Sequence, residues 1–270
     1  MDHPAFIARI LSITLPLLYA VVSVGYVATF LRKPSRMSPW VRVALLVTVL
    51  VHAALLGLTA LHHERFPFAS VSEAVLFWGL TVSLLCIALQ WFQREYAFGA
   101  FVFPANVLIT GVAALFLGRD STLPAAFVSH WFVLHVSLSL CAYACFFVSF
   151  ILSVMHLLQY YRIRRKRIGP LVHGLPSLAL MEDTIMRADG LGALLLLLGT
   201  VVGFLWLEFL VGAAQYPHAK INLSIATIIV YGSGVLLRAL RGWRGWGPSL
   251  LSIVGFIFVL LTLSVGPHGY

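Results

Sequence analysis

Ser129–Tyr143 reads SHWFVLHVSLSLCAY and opens an apolar run that ends only at the basic cluster Arg162–Arg167. Two histidines, His130 and His135, and Trp131 lie inside it. An imidazole in an apolar span loses its hydration and needs a partner, which makes it a candidate functional group. On a helix, five residues place His130 and His135 about 140° apart, so they do not share a face. Trp131 precedes His135 by four residues and does share its face. The expected unit is one inward imidazole with an indole beside it.

The rest of the chain has the same apolar character. Of 270 residues, 61% are hydrophobic and only 10% are charged, and the mean hydropathy is +0.98. Several continuous apolar runs exceed the ~18 residues expected of a membrane-spanning helix, and they do not alternate as strands do. The fold class is an all-α integral membrane protein, a single transmembrane domain over 1–270. Eight spans are expected, at about 5–31, 42–62, 73–92, 97–117, 127–160, 190–213, 221–240 and 248–266. The first run, Phe6–Leu31, lacks a short apolar core followed by a small-residue cleavage site, so it is expected to remain as a span rather than be removed as a signal peptide. The segment Ile168–Asp189 is expected to be a short amphipathic piece outside the membrane.

The net charge of +9 does not point to nucleic acid, because the basic residues sit in short loops between spans. Fourteen of the eighteen Lys and Arg residues fall on one side, and only Arg9, Arg65, Arg119 and Lys220 fall on the other. The positive-inside rule then puts both termini on the non-cytoplasmic side of a bacterial inner membrane. In that orientation His3, His62, His63, His218 and His268 lie at or beyond the outer surface. His130 and His135 lie in the outer turns of the fifth span, and His52 sits mid-membrane. Only His156 and His173 belong to the inner side.

The outward loops offer imidazoles, aromatic rings and the cations Arg65, Arg119 and Lys220. Paired imidazoles suit haem iron, and cations suit haem propionates. Zinc hydrolysis is not indicated, because no HExxH helix is present. The cysteines Cys86, Cys141 and Cys145 form neither a CxxC pair nor a CxxCH haem-attachment motif. Glu208, near the outer end of span six, is a further charged candidate, either paired with a cation or part of a site. His52 either hydrogen-bonds across a helix interface or ligates a second haem. Gly199 and Gly203 form a GxxxG that lets helices approach closely, and Pro104 is expected to kink span four.

SHWFVLHVSLSLCAY closely resembles the S-x-W-L-x-x-H-V segment of CcsA/CcmC-type cytochrome c assembly proteins. FPFASVSEAVLFWG, MEDTIMRADGLGALLLLLGTVVGFLWL, and RALRGWRGW with the terminal GPHGY resemble further segments of that family, in order, over about residues 64–270. The resemblance implies a haem-handling membrane protein that holds haem b on its outer face between two histidines, here His135 and His268. Trp131 would pack near the macrocycle, with Arg65, Arg119 or Lys220 at the propionates. It implies other cytochrome c maturation subunits and apocytochrome c as partners, besides membrane lipid.

Two segments depart from the pattern. The family's tryptophan-rich loop between spans six and seven is replaced by GAAQYPHAKIN, and the histidine of span seven is missing from VLLRALRGW. These departures resemble the HemX/YpjD-like branch, associated with regulation of haem biosynthesis or accessory cytochrome assembly. A regulatory membrane scaffold, docking a partner through Arg162–Arg167, is therefore the alternative. Conventional enzyme activity is not expected.

Overall fold

The computed structural model describes residues 3–32, 38–68, 70–93, 95–118, 129–167, 169, 172, 174–210 and 218–265, with side chains from residue 7 onward and not at 209–210. Eight long helices form among them. They are α1 (His3–Arg32), α2 (Pro39–His62), α3 (Val71–Gln93), α4 (Ala97–Phe116), α5 (His130–Arg164), α6 (Leu178–Leu210), α7 (His218–Arg241) and α8 (Trp246–Ser264). All eight are long and apolar enough to cross a membrane, as the continuous runs require. The helices group into two units, 1–129 and 130–270.

In the first unit, α1 packs on α2 and α4, and α3 joins α4 and α2. The reason lies in the α1 sequence. Leu15, Tyr19, Val22 and Tyr26 recur at helical spacing and are fully buried. On the other side, Ile13, Leu17, Val21 and Val24 are exposed, which is tolerable only where lipid is the solvent. Tyr26 packs against Phe103 of α4 with the rings tilted and their centroids 4.8 Å apart. Gly99 lets that ring approach, since any Cβ there would overlap it.

In the second unit, α5 and α6 form the most extensive interface, and α7 and α8 pack alongside. His156 meets Glu182, Phe146 lies over Gly192, and His135 lies over Gly203. The paired numbers fall on one helix as they rise on the other, so α5 and α6 are antiparallel. Thirty-five residues make α5 about 52 Å long at 1.5 Å per residue, well beyond the ~30 Å hydrocarbon core.

The sixth helix departs from expectation. It starts at Leu178, not near 190, so the stretch 178–189 is the first third of a spanning helix rather than a separate amphipathic piece. Ser177 starts it, with its Oγ accepting from Leu180 N–H at 3.3 Å. The polar residues that lower the hydropathy there, Glu182 and Asp189, are buried because each meets polar partners on α5, α7 or α8. Pro104 lies inside α4, which continues to Phe116.

Candidate functional site

His135 occupies a bed made by α6. Its Nδ1–H donates to the Gly199 carbonyl at 2.7 Å. That bond fixes the tautomer and leaves Nε2 with a free lone pair, the arrangement a metal-binding imidazole needs. Gly203 supplies the space, because a methyl group there would overlap the imidazole. At Gly199 a Cβ would come within 3.0 Å of Ser139 Oγ. The GxxxG pair thus does more than bring two helices together: the carbonyl of one glycine accepts from the histidine and the other makes room for the ring.

Beside His135 is a cavity of about 210 Å³. Its apolar wall includes Val136, Leu140, Leu196, Phe204, Leu207 and Leu263. Ser139, Tyr143, Thr200, Lys220 and Ser224 add a few polar groups. An apolar cleft with few polar groups is the usual form of a small-molecule site. The volume falls below the ~300–1,000 Å³ typical of such pockets, so the cavity as it stands would admit only part of a porphyrin-sized group. The donor set does suit haem: one imidazole with a free Nε2, an ammonium group, and a mostly aliphatic wall.

The structure brings His135 and Lys220 to this cavity. Trp131 is 50% exposed and is not among the residues lining it. The indole that does line it is Trp206, which packs against Phe132 at 5.3 Å. His268 and Arg119 lie outside the described residues. His130 and Glu208 are exposed. The three cysteines are unbridged, with Cys86 and Cys145 buried.

The remaining candidates belong to the first unit. His52 is fully buried, with Tyr19 Oη 2.9 Å from its Nδ1. Tyr19 also contacts Ser83 Oγ at 2.8 Å, and Asn106 Nδ2 donates to Ser83 at 3.1 Å. This is the interhelical hydrogen-bonding arrangement, although His52 Nε2 has no hydrogen-bond partner. Arg65 makes a two-pronged bond to Glu73, at 2.8 and 3.0 Å. The His62 and His63 rings stand edge-on at 4.9 Å, and partial burial followed by the positive charge of Arg65 lowers the pKa of His63 below its ordinary value. Among the described residues, no three His, Cys, Asp or Glu side chains are grouped to hold a metal ion.

Comparison with known proteins places this architecture. The Cytochrome C assembly protein family matches residues 68–266, well over half of the chain. The chain belongs to that family. Protein HemX of Brevibacillus brevis is 26% identical over 249 residues, covering 91% of this chain and 90% of its own. Cytochrome c biogenesis protein CcsA of Guillardia theta is 24% identical over 243 residues, covering 80% of each chain. Protein HemX of Bacillus subtilis is 22% identical over 253 residues. The family match includes His135, its glycine bed and Lys220, and the HemX relatives agree with the branch expected from the missing tryptophan-rich loop.

Sequence reading missed the parts of this family member's site that depend on the neighbouring helix. Gly199 O reaches His135, and Thr200 and Trp206 line the cavity with it, because α6 runs antiparallel to α5 at close range. The only signal in the sequence was the GxxxG itself.

Proposed function

We propose that this family member handles haem in cytochrome c assembly, holding haem b at a bis-histidine site formed by His135 and His268. The observation that carries the reading is the His135 imidazole, held by Gly199 O with its Nε2 lone pair free beside an apolar cavity. Leu263 lines that cavity, and His268 follows it by five residues, a reach of at most about 18 Å for extended chain. Lys220 at the cavity neutralises a propionate, and Arg119 is a second candidate for that role. Arg65 would have to leave Glu73 to contribute. Trp131 would pack near the macrocycle, and His52 would hold a second haem only by exchanging its present surroundings.

The haem would supply the iron and the vinyl groups used in attachment to a cytochrome thiol. The protein's part is positional. The Gly199 carbonyl keeps the proton on Nδ1, the aliphatic wall excludes water, and the lysine offsets carboxylate charge. The basic helix ends would face the cytoplasm, with both termini and this site on the outer side of a bacterial inner membrane. Other maturation subunits and apocytochrome c are the expected partners.

The test is an absorption spectrum and pyridine haemochrome assay on the detergent-purified chain. Low-spin bands and about one haem b per chain are expected, falling severalfold in His135→Ala. Haem-free protein that also fails to take up added haem would reject the reading. It would favour the second one, a regulatory membrane scaffold of haem biosynthesis, which rests on a HemX relative aligning across nine-tenths of both chains. That scaffold should co-purify a soluble partner, and deletion of Arg162–Arg167 should release it.

A further inference from the structure

At the opposite end of the second unit from His135, polar groups line the contacts between α5, α6 and α8. Ser149, Ser153 and His156 of α5 are all fully buried and share one stripe at spacings of four and three residues. Glu182 and Asp189, seven residues apart, form the matching stripe on α6. Ser249 and Ser252 face them from α8 and are also buried.

These groups form two rungs. In the first, His156 Nε2 stands 3.4 Å from Glu182 Oε1, and its Nδ1 is 2.8 Å from Ser249 Oγ. Glu182 also accepts from Gly245 N–H at 3.0 Å and faces Arg238 at 3.7 Å. Arg238 in turn pairs with Asp183, whose side chain is 46% exposed, so this rung reaches the basic end of the unit. The second rung is Asp189 with Ser252 and Ser149. Asp189 is only 2% exposed, and its Oδ2 meets Ser252 Oγ. Ser149 lies beside the carboxyl, yet neither Ser149 Oγ nor Asp189 Oδ1 has a hydrogen-bond partner.

Two features distinguish the second rung from ordinary packing. Serines in this helix usually bond back to their own backbone, as Ser137 and Ser139 do, whereas Ser149 and Ser153 do not. Ser252 has a single hydroxyl hydrogen but faces two acceptors, Asp189 Oδ2 and the Pro248 carbonyl at 3.2 Å. A proton on Asp189 resolves the conflict, because Ser252 then donates to Pro248 O while accepting from the carboxyl. No cation is paired with Asp189 among the described residues. The neighbouring titratable groups are uncharged Tyr231 of α7 and Cys145 of α5. Glu182, Asp183 and Arg238 are engaged in the first rung, Arg187 of α6 is exposed, and the other charged residues of α6 and α7 are Glu208, Lys220 and Arg241. An ionised carboxylate without a counter-charge is costly in a span, and ionisable residues in such positions mark proton relays.

We propose that Asp189 is a proton-binding site, loaded from the basic end of the unit through Glu182 and His156. Seven helical residues separate the rungs by about 10 Å, and the buried Ser153 hydroxyl stands between them on α5. In the net step one O–H bond of a hydronium ion at the basic end breaks, one O–H bond forms on Asp189, and water is left behind. Nothing is oxidised or reduced. The site is separate in sequence and function from the His135 cavity, so it stands or falls independently of the haem reading.

Infrared difference spectroscopy of the full chain in nanodiscs at neutral pH tests it. Wild type should show a protonated-carboxyl C=O stretch that Asp189→Asn removes and His135→Ala leaves unchanged. Ser252→Ala keeps the carboxyl and should shift the band upward by weakening its hydrogen bonding, which decides the matter should Asp189→Asn not fold. After transfer to D2O the band should exchange at least tenfold more slowly in His156→Phe. A carboxyl band indifferent to both Asp189→Asn and Ser252→Ala, or a signal that follows sodium concentration instead, would overturn the proton site. An exchange rate unchanged by His156→Phe would overturn the relay.

Discussion

Gly203→Ala puts a methyl group onto the His135 imidazole. The ring must move, and its 2.7 Å bond to Gly199 O is the contact most directly exposed to that movement. Inserting a methyl into a filled contact costs about 1–3 kcal/mol, and a lost hydrogen bond about 0.5–1.5 kcal/mol more. Replacing a mid-helix glycine returns roughly 1 kcal/mol. The net loss is about 2 kcal/mol, borne by the conformation that aims Nε2 at the cavity, which corresponds to a roughly 30-fold weaker affinity for haem. The assay is a haem titration of the detergent-solubilised apo chain, followed at the Soret band. Gly232→Ala is the control, because a Cβ there meets nothing within 4 Å. If Gly203→Ala titrates like wild type and like the control, the glycine bed does not orient the histidine and the site has been misread.

Other consequences can be checked by thermal unfolding of the solubilised chain. Tyr19→Phe removes the hydroxyl between His52 Nδ1 and Ser83 Oγ and should cost about 1–3 kcal/mol; an unchanged melting temperature would mean that this network contributes nothing. Arg65→Ala leaves the buried Glu73 carboxylate without its guanidinium. The loss should be about 1–3 kcal/mol, below that of a fully buried pair because Arg65 is partly exposed, and Glu73→Gln in the same chain should recover part of it. Gly79→Ala drives a methyl into Thr110 and crowds Asn106 Oδ1 at 3.1 Å, so it should lower the melting temperature by the same order.

Hydropathy alone carried the eight helices, because each span is a continuous run that water would not tolerate. It failed at the start of α6, where Glu182, Asp183 and Asp189 lower the local average although two of them are buried; their compensation comes from His156, Arg238 and Ser252, which are distant in sequence. Helical periodicity correctly separated His130 from His135. It could not say which surface faces the neighbouring helix, so it favoured Trp131 as the indole near the site, whereas Trp206 lines the cavity. Lys220 was legible as a cation at the start of the seventh span, and α7 brings it to the same cavity as His135. The tautomer of His135 was not legible at all, because it depends on a backbone carbonyl of α6.

Whether two histidines grip one iron is best tested by electron paramagnetic resonance of the oxidised, haem-loaded full chain. Wild type should give a low-spin bis-histidine signal. Both His135→Ala and His268→Ala should convert it to high spin, and added imidazole should restore low spin in each. A low-spin signal that persists unchanged through both substitutions would contradict the proposed pair of ligands.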